Sequence, residues 1–124
     1  REVFPPNPWL SDEEWQRFAA RTFAPGGADG QWRPRWDTRI VRRAVGPQPG
    51  PPVDLWRFFG GLEGRPLMLV HGEVSKLLEK PTVTRMQRAR PDMVLATLPG
   101  AGHAPTLNES PLVKPVDAFL DSIP

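Results

Sequence analysis

Two uninterrupted apolar runs constrain this chain more than any other feature: PLMLVHG at 66–72 and MVLATLP at 93–99. Each is short and bounded by turn residues, the pattern of a strand covered on both faces rather than of a half-exposed one. Between them the sequence predicts a helix over 81–90, with Pro81 at a first position where no N–H is needed. A crossover of about twenty residues makes the two strands parallel, with right-handed packing. Ser110 and Pro111 open a last helix on which Leu112, Val116, Phe119, Leu120 and Ile123 form one apolar stripe. The expected fold class is α/β, with two parallel strands and about five helical segments. Two parallel strands do not make a stable open sheet, so oligomerisation is expected to complete it.

The first half reads differently. Pro5, Pro6 and Pro8 keep the opening residues extended. In SDEEW, Ser11 and Glu14 have the spacing of a reciprocal capping box, and Asp12 and Glu13 complement the helix dipole. That helix should run to about Phe23, stopped by Pro25, Gly26 and Gly27. Residues 24–36 read as a loop, 38–44 as a short helix, and GPQPGPP at 46–52 as a linker. Asp54 is expected to cap a helical turn, LWRFF, that ends at Gly60 and Gly61.

Composition narrows the function classes. Sixteen Lys and Arg against fourteen Asp and Glu leave a net charge of +2, too even a balance to argue for nucleic acid. The absence of cysteine excludes disulfides, thiol catalysis and cysteine-ligated zinc. No apolar run reaches membrane-spanning length and the start has no signal-peptide pattern, so the expectation is a soluble, cytoplasmic protein without a membrane partner. All five tryptophans fall in the first sixty residues, where packing explains most of them and an apolar pocket could use some. Arg33, Arg35, Arg39, Arg42 and Arg43 form a basic patch, read as a solvated face.

The stretch RPLMLVHGEVSKLL, then VTRMQRARPDMVLATLPGAGHAPTLNES and an amphipathic helix, resembles the carboxy-terminal end of α/β-hydrolases. DEEWQRFAARTF and RWDTRI are similar to the helical cap that precedes those last strands. The resemblance implies a cap-like segment at 1–64 and a strand–helix–strand–helix unit at 65–124. In GAGHAP it puts His103 where the family's catalytic base stands. It also puts an acid of the triad at Ser75 or Lys76, and neither residue can hold an imidazole in the tautomer a Ser-His-acid triad needs. No G-x-S-x-G occurs, so the family's nucleophile elbow is missing as well.

Other residues could carry chemistry in its place. His71 and Glu73 alternate at the end of the first strand and can project together. If the strands are neighbours, His103 approaches from the next loop. The three make the ligand set of a catalytic zinc ion with an open fourth position, which would activate water without a serine. Lys76 could bind an anionic group, or act as an amine nucleophile if desolvated.

The expected function is therefore hydrolysis of activated esters or phosphoesters, metal-dependent through His71, Glu73 and His103, on a small-molecule substrate. Two alternatives are a non-catalytic module with a tryptophan-lined cavity and a fragment that needs the nucleophile-bearing half. The exposed edge of strand 66–72 is expected to pair with its own copy in a homodimer.

Overall fold

The computed structural model of the chain describes residues 6–26, 30–40 and 54–124. They fall into two compact units: residues 11–55, and a unit joining the segment up to Leu10 with 56–124.

In the first unit, helix α1 (Asp12–Thr22) starts at the expected capping box. Ser11 Oγ accepts from the Glu14 N–H at 3.2 Å, and Glu14 Oε2 accepts from the Ser11 N–H at 2.8 Å. The Ser11 N–H and hydroxyl, both donating to the Glu14 carboxylate, hold that carboxyl below its ordinary value. Trp15 and Phe18, one helical turn apart, meet edge to face at 5.8 Å. The following residues correct the loop expected at 24–36: β1 (Phe23–Pro25) and β2 (Trp32–Pro34) pair antiparallel, with Ala24 opposite Arg33. Strands of three residues, each ending in proline, give no alternation to detect. Phe23 packs edge to face on Trp36 at 5.4 Å. The linker 46–52 and residues 41–44 of the expected short helix lie outside the described residues.

The second unit holds the apolar runs. Helix α2 (Leu55–Gly60) ends at the two glycines, with the Gly61 N–H on the Arg57 carbonyl at 3.2 Å. Then come β3 (Met68–Gly72), α3 (Lys80–Ala89), β4 (Val94–Leu98) and α4 (Ser110–Asp121). As the spacing predicts, β3 and β4 are parallel neighbours, in register from Met68 opposite Val94 to Gly72 opposite Leu98. Alternate residues Met68, Val70, Ala96 and Leu98 meet Ala101, Leu112 and Val116, which makes one sheet face and α4 the core. Leu98 and Leu112 are fully buried, each contributing roughly 1.5–3 kcal/mol. Pro115 removes one N–H from α4, a loss that packing of the neighbouring Leu112 and Val116 helps offset.

Arg90 joins the end of α3 to the segment before β3. Its buried guanidinium donates to both Asp92 oxygens and to the carbonyls of Leu62 (2.6 Å) and Arg65 (2.8 Å). The apolar stripe of α4 is only half used, since Leu120 and Ile123 stay exposed. Among the described residues four helices are complete, Arg39 and Ile40 are helical within the segment expected at 38–44, β3 has a strand on one side only, and no helix is long and apolar enough to cross a membrane.

Candidate functional site

The parallel register brings the carboxyl ends of β3 and β4 together, where α/β sheets place their sites. The turn after β3 and the loop after β4 are bound to each other. The Glu73 N–H donates to the Leu98 carbonyl and the Val74 N–H to the Ala101 carbonyl, both at 3.0 Å. The Glu73 side chain adds a third link, its Oε2 accepting from the Gly100 N–H at 2.9 Å.

Each residue singled out from the sequence then has a definite place. His71 is buried, and its Nε2 lies 2.9 Å from the Leu78 carbonyl, an acceptor, so that nitrogen carries hydrogen. Glu73 spends its carboxylate on Gly100. His103 is exposed in the loop after β4. Among the described residues no group of three or more His, Cys, Asp or Glu lies where it could hold a metal ion. The set His71, Glu73 and His103 is thus adjacent in topology but not assembled as ligands. Glu73 instead links the two strand ends, and His71 holds the turn that follows β3.

Ser75 is buried, and its Oγ accepts from the Leu78 N–H at 3.0 Å, shaping the turn in which His71 is held. Lys76 is exposed, which denies it the desolvation an amine nucleophile needs. Two of the tryptophans, Trp9 and Trp56, belong to the second unit. Trp56 meets Phe59 edge to face at 5.8 Å, lies under the Arg85 guanidinium at 3.8 Å, and lines an open groove with Phe59, Glu63 and Arg90. Trp9 instead donates its Nε1–H to the Pro99 carbonyl at 2.9 Å.

Two residues that sequence reasoning missed hold the His103 loop, one at its end and one far away in sequence. Glu109, at the N-cap of α4, is only 1% exposed. Its Oε1 accepts from the Asn7 side-chain amide at 2.7 Å and from the Thr106 N–H at 2.8 Å. Its Oε2 is buried with no hydrogen-bond partner among the described residues. Burial pushes this carboxyl up, but the bonds from Thr106 and Asn7 outweigh it and hold it below the ordinary range. An acid placed just before a proline-opened helix was the available signal for Glu109. Nothing in the sequence marks Asn7.

No protein-family model matches the chain, and comparison with curated proteins found no match. Solved structures do match. An α/β hydrolase from Novosphingobium aromaticivorans aligns with 33% identity and a TM-score of 0.72 over 92% of this chain and 40% of its own. An E-2-(acetamidomethylene)succinate hydrolase aligns with 26% identity and a TM-score of 0.63 over 93% of this chain and 41% of its own. A thioesterase domain from the curacin biosynthetic pathway gives 26% identity and a TM-score of 0.57, over 93% and 39%. This chain therefore spans about 40% of the length of the hydrolases it resembles. The strand order, the paired strand-end loops and these neighbours agree: the chain has the fold of one part of an α/β hydrolase.

Proposed function

We propose that this chain supplies the histidine side of an acyl-hydrolase site, and that the attacking group comes from polypeptide outside this sequence. The observation that carries the reading is His103 itself, exposed beyond the carboxyl end of β4 in a loop whose flanks are hydrogen-bonded in place. An imidazole so presented can take the proton of an attacking hydroxyl or water and return it to the leaving group. Glu73 helps keep the loop in place through Gly100, and His71 holds the turn after β3, neither entering the chemistry. The neighbours include a hydrolase and a thioesterase, which favours activated acyl compounds, esters and thioesters, over phosphoesters.

The nucleophile follows from the same facts. The sequence has no G-x-S-x-G, β3 has an unpaired edge among the described residues, and about 40% of the neighbours' length is represented. Strands laid against β3 would bring a nucleophile to the carboxyl edge where His103 stands.

The test is complementation. The chain is co-expressed with the part of the Novosphingobium hydrolase that lies outside the matched region, and hydrolysis of p-nitrophenyl acetate and of an acyl thioester is followed. Activity is expected from the pair and not from either piece, with a loss on the order of 10²–10⁴-fold in His103→Ala. An undiminished rate in His103→Ala would remove His103 from the reaction and the proposal with it.

A further inference from the structure

The loop that carries His103 is held from both sides by one short segment far away in sequence. On its amino side, the Gly102 N–H donates to the Pro6 carbonyl at 2.6 Å. On its carboxyl side, the Thr106 N–H and the Asn7 side-chain amide converge on the same oxygen, Glu109 Oε1. Trp9 fixes the start of the loop through the Pro99 carbonyl, and Pro8 lies beside Gly100, 3.3 Å from where a Cβ on that glycine would stand. The Trp9 N–H in turn donates to Asn7 Oδ1 at 3.1 Å, which orients the amide that reaches Glu109. All these anchors lie within one compact unit.

Such an arrangement is costly if stability is its only purpose. A carboxylate buried with one oxygen lacking a partner destabilises, and an apolar residue before α4 would avoid that cost. What the carboxylate provides is a charged acceptor that gathers a loop amide and a distant side chain at one point. The loop amide, that of Thr106, lies three residues beyond His103, while Pro6 holds the residue immediately before it.

We infer that Asn7 and Glu109 are a positioning pair for His103, the strap Pro6–Trp9 fixing the imidazole-bearing loop through them. Neither touches a reacting atom; both act through the backbone on either side of His103. The inference rests on the reading of His103 as the acting group and extends it by naming what holds that group in place. It also makes the strap part of the site, although ninety or more residues separate the two in the chain.

The experiment uses the full 124-residue chain, whose two histidines give two separable ring signals by NMR. In Asn7→Ala, hydrogen exchange at the Thr106 and Gly102 amides should speed up roughly tenfold or more, as expected for loss of a bond to a charged acceptor. The His103 ring resonances should shift, while the buried His71 ring and the amides of Val70 and Ala96 stay as they are. Glu109→Gln keeps an acceptor oxygen at the same place and should restore most of the Thr106 protection that Glu109→Ala loses. If Glu109→Ala fails to fold, the Asn7→Ala and Glu109→Gln comparison still decides. Unchanged exchange at Thr106 in Asn7→Ala would overturn the pair, and so would equal shifts of both histidine rings, which would mark a general loosening. These readings need no activity. Failure of the proposed function would show separately, as an undiminished rate in His103→Ala with the loop still pinned.

Discussion

Gly72 and Gly102 stand so close that a Cβ on Gly72 would collide with the carbonyl oxygens of Gly102 and Ala101. Gly72 is the last residue of β3 and Gly102 immediately precedes His103. The two strand ends are therefore packed backbone on backbone, and the position of the His103 loop is set by the missing side chain of a residue on the neighbouring strand. Gly72→Ala is expected to push that loop outward and to lower stability by about 1–3 kcal/mol, the usual range for overpacking. Urea unfolding followed by tryptophan fluorescence measures the loss, and an unchanged midpoint would mean that the loop yields freely.

Much of this arrangement is legible in the sequence, and the remainder is hidden for identifiable reasons. The apolar runs announce β3 and β4, although Val94 and Thr97 of β4 stay exposed, and the helix between them dictates the parallel pairing. The Ser11–Glu14 box marks the start of α1 because both partners lie within one turn. Local rules do not reach the strap. Asn7 and Glu109 meet across 102 positions, and a glutamate is ordinarily read as a surface residue. His71 and Glu73 show the reverse error. Their alternation suggests shared ligation, but the Leu78 carbonyl and the Gly100 N–H claim them first.

Arg90 and Asp92 make a second test of what holds the strands. One guanidinium serves the Leu62 and Arg65 carbonyls as well as both Asp92 oxygens, a fork geometry that an ammonium cannot reproduce. Arg90→Lys should therefore lower the urea midpoint clearly, while Asp92→Asn, at the exposed end of the pair, should lower it less. Equal losses would show that the ion pair, rather than the two carbonyl anchors, is what matters.

The acid limb of stability should report Glu109. Its folded-state carboxyl lies below the ordinary value of 4.5, because the bonds from Thr106 and Asn7 outweigh the effect of burial. A carboxyl depressed on folding adds stability that is complete above its ordinary value and is lost as pH falls through the lower folded value. Stability of the wild-type chain should fall from about pH 4.5 downward, and the slope should be shallower in Glu109→Gln, which has no proton to take up. Chemical denaturation at a series of pH values gives both slopes, and identical ones would mean that Glu109 does not contribute.

Metal removal should have no effect on this part of the site. The Nε2 of His71 faces a carbonyl, Glu73 is committed to Gly100, and no three ligating side chains gather among the described residues. Incubation with a chelator is expected to leave the unfolding midpoint and the His103 ring signals unchanged, and zinc should not bind stoichiometrically to the purified chain. One zinc per chain, lost in both His71→Ala and His103→Ala, would restore the two-histidine, one-carboxylate site that the sequence suggests.

The free edge of β3 leads to the last prediction. β3 is paired on one side only among the described residues, and Val94, Leu120 and Ile123 remain exposed. An unpaired apolar edge is a template for another strand. When the chain is alone, the strand at hand is its own copy, and pairing across a two-fold axis would run antiparallel and double the two-stranded sheet. Sedimentation of the isolated chain should show a concentration-dependent dimer. The nucleophile-bearing complement would compete for the same edge, so adding it should convert that dimer into a one-to-one complex as hydrolytic activity appears. A monomer at every concentration would overturn self-pairing, and a dimer that persists beside an active complex would show that the two contacts use different surfaces.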